Sequence, residues 1–546
     1  MIEKEITLEL KHLETVALIG FLCFAFFLEL QLTVNSPIAF GDEGFHTRMA
    51  QWIAQKKEIP VWNPFEGDNV FREGFTRPFL WNSLEASFFY VFGFNDTIAK
   101  ILTPFIGSVF LGLAVFVVFR RMYNEKVALL SSIFAVAIPS IITYSIFFYD
   151  EILLVIYFLL SISCLIFAVQ TENKKYWIMT GVFAALAILT KRPGYFLIPI
   201  FGLAFLYELL KQKNFLKIIK RYLILLLPLL LITSTFFVRN LVYYKTPVCG
   251  VPFSWFFKST CAIDTGKTST YSFAGRTNLS GTESSVFNVG IMSYLNFAYG
   301  FTYNGVYLLI FGFLGGLLLL ATRRNTTNLI IIFSMIVFLL LFLFPDITNR
   351  AEDTSRYLLT WSPLIALIAG IYFSEMHDFI KKYLKSFAVI IFVVILVLSF
   401  MEVQTKLVGL KPVKAFSAYF FDACNWVKQH PDKVPENSII TTVWTHRTAY
   451  NCQRDVTGGD PDFVVSGNVS LALSTMKERG ITHVFIQKFS ISTQNLSENY
   501  PWQYVQMLEN NPKIFEKIFE NGEPDLTKCS SGNCDGTIIY KVNYTA

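Results

Sequence analysis

Charge is scarce in this chain: Asp, Glu, Lys and Arg make up 16% of its 546 residues, against 53% hydrophobic residues that include 56 Phe. So little charge excludes a water-solvated globular protein of this size and describes a chain solvated largely by lipid. The net charge is +6, but the basic residues fall in short clusters between apolar runs, so they mark membrane topology and give no nucleic-acid-binding surface. The first apolar run, Val16 to Val34, has no small-residue cleavage site after it and is too long for a signal-peptide core, so it reads as a retained first helix. The eight cysteines lack paired C-x2-C units, which argues against a zinc framework. The apolar spans hold almost no ionisable residues and show no inverted repeat, which argues against a transporter or lipid flippase.

What is present is a polytopic α-helical membrane protein. Apolar runs place about eleven transmembrane helices near residues 15–34, 97–119, 127–147, 152–169, 176–190, 194–209, 222–238, 304–321, 328–344, 357–373 and 386–401. The clusters Arg120/Arg121/Lys126, Lys174/Lys175, Lys211/Lys213/Lys217/Lys220/Arg221, Arg323/Arg324 and Lys381/Lys382/Lys385 fall in every second connection, the positive-inside pattern. That parity puts the N-terminus, with Lys4 and Lys11, in the cytoplasm and the C-terminus outside. Residues 78–93 are apolar but short and carry Asn82 and Glu85. Counting them as a crossing would move every later basic cluster outside, so they read as a helix in the outer interface, and 35–96 as one external loop rich in Trp and Phe.

Residues 1–402 thus form a transmembrane module with external loops at 35–96 and 239–303. From about 403 the apolar runs shorten and prolines and glycines punctuate segments of soluble size. Helices near 414–429, 471–479 and 501–510, with strands at Ser438–Trp444, Ile481–Gln487 and Thr537–Val542, describe a C-terminal extracytoplasmic α/β domain at 403–546. Cys23 and Cys164 lie in spans, while the other six cysteines lie outside, where disulfides form; Cys249–Cys261 and Cys529–Cys534 are the pairings of shortest range. Sequons at Asn278, Asn468, Asn495 and Asn543 fall on the same side.

The stretch Phe40 to Trp52 follows the first span and opens a helix on two carboxylates, Asp42 and Glu43. An acidic first turn is ordinary helix chemistry, but charge at a bilayer edge also marks a site. The external connections hold further unusual polar residues: Tyr149-Asp150-Glu151, Lys191-Arg192-Pro193-Gly194, Arg239-Asn240, and Asn349 to Tyr357. Individually, Lys191/Arg192 read as snorkelling anchors and Asp150/Glu151 as a helix cap. Together on one side they read as a site. A lipid-linked donor keeps its tail in the bilayer and its phosphate at the headgroups, so an enzyme using it needs a carboxylate base and a cationic clamp there. Asp42 supplies the base; Lys191, Arg192, Arg239 or Arg356 can hold the departing phosphate. Glu43/His46 and Asp42/His46 share helix faces, which makes His46 a candidate ligand of a divalent metal, the one cofactor the sequence leaves open.

The order of these motifs, with Arg77-Pro78-Phe79 opening the interfacial helix, Leu189 to Gly194, and Arg356-Tyr357 followed by Pro363, resembles the integral membrane glycosyltransferases of the GT-C superfamily, in the protein O-mannosyltransferase and aminoarabinose transferase (ArnT-like) branch. The resemblance implies transfer of a sugar from a polyprenyl phosphate to a glycan, lipid or protein acceptor on the outer face, with inversion. It makes Asp42, with Glu43, the catalytic acidic motif and Asp150 or Glu151 a second acidic site. Arg77, Lys191 and Arg356 then match donor-phosphate positions, and Tyr149 and Tyr357 flank them as donor or acceptor contacts. Thr76 stands where the aminoarabinose transferases need an acidic residue for their metal. No Trp-Trp-Asp-Tyr-Gly run occurs after residue 403, which distances the chain from the oligosaccharyltransferase catalytic subunit, the nearest alternative enzyme. A non-catalytic glycan-assembly partner would need no base at Asp42.

Overall fold

The computed structural model describes residues 2–38, 42–69, 72–75, 77–211, 214–245, 308–323, 325–340, 356–384, 388–414, 417–458, 468–492, 500–529 and 534–545. Cys249, Cys261, Asn278, Asn495, Thr76 and residues 349–355 lie outside them.

The chain opens with α1 (Ile2–Val34), α2 (Glu43–Lys56), the strands β1 (Trp62–Gly67) and β2 (Arg72–Gly74), and α3 (Leu80–Phe92). There follow α4 (Asp96–Pro104) and α5 (Leu111–Met122), joined by a π-helical turn at Phe105–Phe110, then α6 (Glu125–Ala137), α7 (Pro139–Ile146), α8 (Glu151–Thr171), α9 (Lys174–Thr190), α10 (Leu197–Lys211) and α11 (Phe215–Tyr244). The later bundle helices are α12 (Leu308–Thr322), α13 (Thr326–Leu340), α14 (Ser362–Tyr383) and α15 (Ala388–Lys414).

Helix occupies the described part of each of the eleven apolar runs. Six helices are long and apolar enough to cross a membrane, or up to seven with α6 and α7, which meet at 59°. Pro139, with no N–H to donate back to the preceding turn, opens α7 at that bend. The apolar helices at Leu309–Thr322 and Thr326–Leu340 and the 17-residue α9 are shorter, so among the described residues the structure supports six to seven full-length crossings and leaves eleven as a sequence expectation. The interfacial helix is α3, at 13 residues about 20 Å long and too short to cross. It buries Trp81, Asn82 and Glu85 and exposes Tyr90, Val91 and Phe92.

Beyond α15 come α16 (Ala418–Gln429), β3 (Ile439–Thr442), α17 (Thr445–Cys452), β4 (Asp455–Gly458), α18 (Val469–Arg479), β5 (Ile481–Gln487), β6 (Ile491–Ser492), β7 (Tyr500–Pro501), α19 (Trp502–Glu509), β8 (Phe515–Gly522), α20 (Leu526–Cys529) and β9 (Gly536–Val542). The main sheet has seven strands in the order β2-β1-β4-β3-β5-β9-β8. Its centre is parallel, and β9 and β8 close it as antiparallel neighbours. β5 and β9 are buried along nearly their whole length, as expected where helices cover a sheet.

The sheet is not confined to residues after 403. β1, from the first external loop, runs parallel to β4 with Glu66 opposite Val456. Thr457 Oγ1 donates to Asp68 Oδ2 at 3.0 Å beside that pairing. Disulfides join Cys424 to Cys452, which ties α16 to α17, and Cys529 to Cys534 as the short spacing suggests.

Candidate active site at the junction of helices and sheet

Asp42 stands at the N-cap of α2 and Asp150 at the N-cap of α8, yet neither side chain makes a capping hydrogen bond. Both reach into a common cluster instead, which decides against the plain helix-cap reading. Asp42 Oδ2 lies 3.7 Å from Arg77 Nη1 and 3.8 Å from Arg356 Nη2, and Oδ1 lies 3.6 Å from His446 Nε2. These are ion-pair distances too long for hydrogen bonds. Burial alone would push the Asp42 carboxyl up; Arg77, His446 and Arg356 outweigh it and hold the group well below the usual carboxylate range. The carboxylate is ionised and has room for a proton.

The second acidic pair is tied to the cations. Lys191 Nζ donates to Asp150 Oδ1 at 2.7 Å and to Glu151 Oε1 at 2.6 Å, and Arg356 Nε donates to the same Glu151 oxygen at 2.5 Å. Arg356 therefore bridges Glu151 and Asp42, with its guanidinium 4.9 Å from the Tyr149 ring centroid. The Tyr149 hydroxyl accepts from the Asp42 backbone N–H at 3.3 Å, and Glu43, fully buried, accepts from the Phe148 N–H at 3.0 Å. The acidic motif of α2 and the turn before α8 are thus fastened to each other twice.

Local sequence explains why Lys191 points inward and does not snorkel. Its N–H caps α9 on the Ala187 carbonyl, and Gly194 folds the following turn back so closely that a Cβ there would lie 2.5 Å from the Ala187 carbonyl carbon. Only glycine permits that approach. Arg192, next in the turn, is half-buried and has no partner among the described residues. Arg77 packs over the Phe45 ring at 4.3 Å.

Three of the sequence-predicted residues have other partners in this structure. Arg239 does not join the cluster: its Nη2 donates to the carbonyls of Pro60 at 2.5 Å and Phe75 at 2.7 Å, so it clamps the external loop onto α11. His46 is buried with Nδ1 2.7 Å from Asn82 Oδ1, and burial lowers its pKa, which suits a neutral hydrogen-bonded ring. Among the described residues no group of three or more His, Cys, Asp or Glu side chains is placed to hold a metal ion, so the metal-ligand assignment of His46 has no partners to rest on. Tyr357 is partly buried against the apolar core, and its carbonyl accepts from the Thr360 hydroxyl.

Sequence reasoning missed His446 and Glu66. His446 opens α17 between two carboxylates, with Nδ1 hydrogen-bonded to Glu66 Oε1 and Nε2 facing Asp42. Burial opposes its charged form, but Glu66 and then Asp42 prevail and raise its pKa. Glu66 is held in turn by Asn63 Nδ2 at 2.7 Å.

Residues 76–238, which include Arg77, Tyr149, Asp150, Glu151 and Lys191 of this cluster, match the model of the dolichyl-phosphate-mannose-protein mannosyltransferase family. No curated protein matches the chain by sequence. Solved structures do match by fold. The oligosaccharyltransferase AglB of Archaeoglobus fulgidus, in complex with an inhibitory peptide and a dolichol-phosphate, superposes with a TM-score of 0.62 at 13% identity, over 98% of this chain and 74% of that one. ArnT of Cupriavidus metallidurans bound to undecaprenyl phosphate gives 0.59 at 12% identity, over 96% and 97%. In its helical framework, its long first loop and its C-terminal α/β layer, this chain, with helices long and apolar enough to cross a membrane, shares the fold of these two structures.

Proposed function

We propose that the protein is a membrane glycosyltransferase that takes a sugar from a polyprenyl phosphate and passes it to a hydroxyl or amide acceptor with inversion. The observation that carries this reading is the convergence of Arg77 and Arg356 on one oxygen of Asp42, beside the ends of the bundle helices. An acceptor hydroxyl gives its proton to Asp42 while its oxygen attacks the anomeric carbon. The bond from that carbon to phosphate breaks on the opposite face, and the phosphate keeps the electron pair. Arg77 and Arg356 meet the charge that gathers on the leaving group, with Arg192 the next cation along. Lys191 holds the Asp150 and Glu151 side chains in place, and so orients Arg356 on Glu151. The ligands named for AglB and ArnT, dolichol phosphate and undecaprenyl phosphate, support the donor class.

In this reading the site faces the outer side of the membrane, and two observations support that side. Lys217 and Arg221 pair with Glu172, just past the end of α8 opposite Glu151. That helix has 21 residues, about 31 Å along its axis, enough to separate the basic end from the site by a membrane thickness. The disulfide Cys424–Cys452 also suits an oxidising compartment. Asp42→Asn keeps the shape and removes the base. In membranes supplied with radiolabelled polyprenyl-phosphate sugar it should lower transfer by about two to four decades; unchanged transfer would remove Asp42 as the base.

A further inference from the structure

We infer that His446, supplied by the C-terminal layer, is a positioning residue of the transfer reaction: as an imidazolium held by Glu66 it fixes Asp42 by Oδ1 and leaves Oδ2 to take the acceptor's proton. This rests on the glycosyl-transfer reading above. Three independent placements support it.

The two carboxylate oxygens have different neighbours. Oδ2 faces two arginines that a donor phosphate would draw away, whereas Oδ1 faces His446, its one ion-pair partner among the described residues. Once the arginines turn to phosphate, the imidazolium is the remaining cation on the base, and Oδ2 becomes the more basic oxygen. The reaction then balances without a further group. The proton moves from the acceptor oxygen to Oδ2, the new bond joins that oxygen to the anomeric carbon, and the phosphate leaves with the electrons of the broken bond.

The backbone that carries His446 is fixed against the helix that carries Asp42. A Cβ at Gly44 would lie 2.6 Å from the His446 carbonyl oxygen, so α2 and α17 approach as closely as a bare backbone permits. The Phe45 ring lies 5.2 Å from the imidazole, edge to face. Asn451 Nδ2 donates to the Ile38 carbonyl at 3.1 Å, Tyr450 hydrogen-bonds to Asp96, and the Cys424–Cys452 disulfide holds the far end of α17. So much anchoring of one eight-residue helix serves to hold its first turn still.

The charged surroundings are also specific. The groups that act on His446 are Glu66 from β1, Asp42 ahead of α2, and Arg77 from the segment before α3, the last of which opposes its protonation. Glu66 is the nearest of them and the one with no contact to Asp42.

The test compares His446→Gln, His446→Ala and Glu66→Gln in the full-length protein in detergent, using a short-chain polyprenyl-phosphate sugar, with thermal unfolding as a check on folding. Expected is a fall in kcat of up to about 100-fold for His446→Ala with donor KM little changed, since the base is misplaced and the phosphate clamp is not. The wild type should lose activity as pH rises through the His446 pKa. Glu66→Gln should move that basic limb down by roughly one to two pH units, and His446→Gln should abolish it. A merely structural histidine would lower stability and leave the limb where it is, and that result overturns the inference. If Asp42→Asn is inactive while all three variants keep the wild-type limb, only the role of His446 falls; if Asp42→Asn transfers normally, the glycosyl-transfer reading itself falls.

Discussion

Lys191 is the residue at which structure and sequence pattern give different forecasts, so Lys191→Met is a sharp experiment. The ammonium is 17% exposed and sits within 2.7 Å of two carboxylates. Glu151 keeps Arg356 when the lysine is lost, but Asp150 has no other ion pair among the described residues. Removing one partner of a buried pair costs about 3–5 kcal/mol, mostly for the charge left behind. If all of that appears in the unfolding rate, inactivation at fixed temperature accelerates by about two to four decades. Burial already pushes the Asp150 carboxyl up against the pull of Lys191, and without the lysine it rises further. A carboxyl whose folded pKa is raised binds protons preferentially in the folded state, so the deficit of Lys191→Met should shrink as pH falls from about 8 to about 5. Adding Asp150→Asn should restore most of the stability at the higher pH. The assay is the half-life of the detergent-solubilised protein at constant temperature, for the two single variants and the double. A lysine that only clamps donor phosphate would give normal half-lives, a raised donor KM and no rescue by Asp150→Asn, and that pattern would refute the argument.

Gly44→Ala gives a test of sign: alanine is favoured over glycine in a helix by about 1 kcal/mol, so a stabilised protein would mean that α2 and α17 do not pack as described, whereas the 2.6 Å approach predicts a net loss of about 1–3 kcal/mol by thermal unfolding together with reduced transfer. Replacing Cys424 and Cys452 together by Ala opens a loop with a sequence separation of 28 and should cost about 3–4 kcal/mol, measured as a lower unfolding midpoint. Arg239→Ala should loosen the external loop, since each charged hydrogen bond to the Pro60 and Phe75 carbonyls contributes about 1.5–3 kcal/mol, and it should increase proteolysis near residue 75 without a selective rise in donor KM.

The helical framework is legible because long apolar runs are the strongest signal a sequence carries, and eleven of them end in helix where the structure describes them. Within the site, Asp42, Arg77, Asp150, Glu151, Lys191 and Arg356 were readable because each lies at or just before the end of a helix: Asp42 at the start of α2, Arg77 ahead of α3, and the other four at the ends of apolar helices. Arg239 sits at such a place too, yet it goes to backbone carbonyls, a fate that local sequence does not distinguish from phosphate binding. In the C-terminal layer the buried strands β3, β5 and β9 were visible as apolar runs. β4 is only four residues long, and β8, Phe515–Gly522, alternates charged with apolar residues on an exposed edge, so neither announces itself. His446 was invisible for a different reason: it meets Glu66 across a separation of 380 residues, and no spacing rule links the two.

That distance has a consequence in time. β1 is made early, but the strand beside it, β4, arrives late: Asp68 and the Thr457 that bonds to it are 389 residues apart. At about 5–20 residues per second, ribosomes take roughly 20 to 80 s to supply the partner. Through that interval the loop that carries β1 has an open sheet edge and Asp42 lacks its histidine, so on the reading proposed above the nascent bundle is chemically silent. A chain truncated anywhere before α17 should stay so.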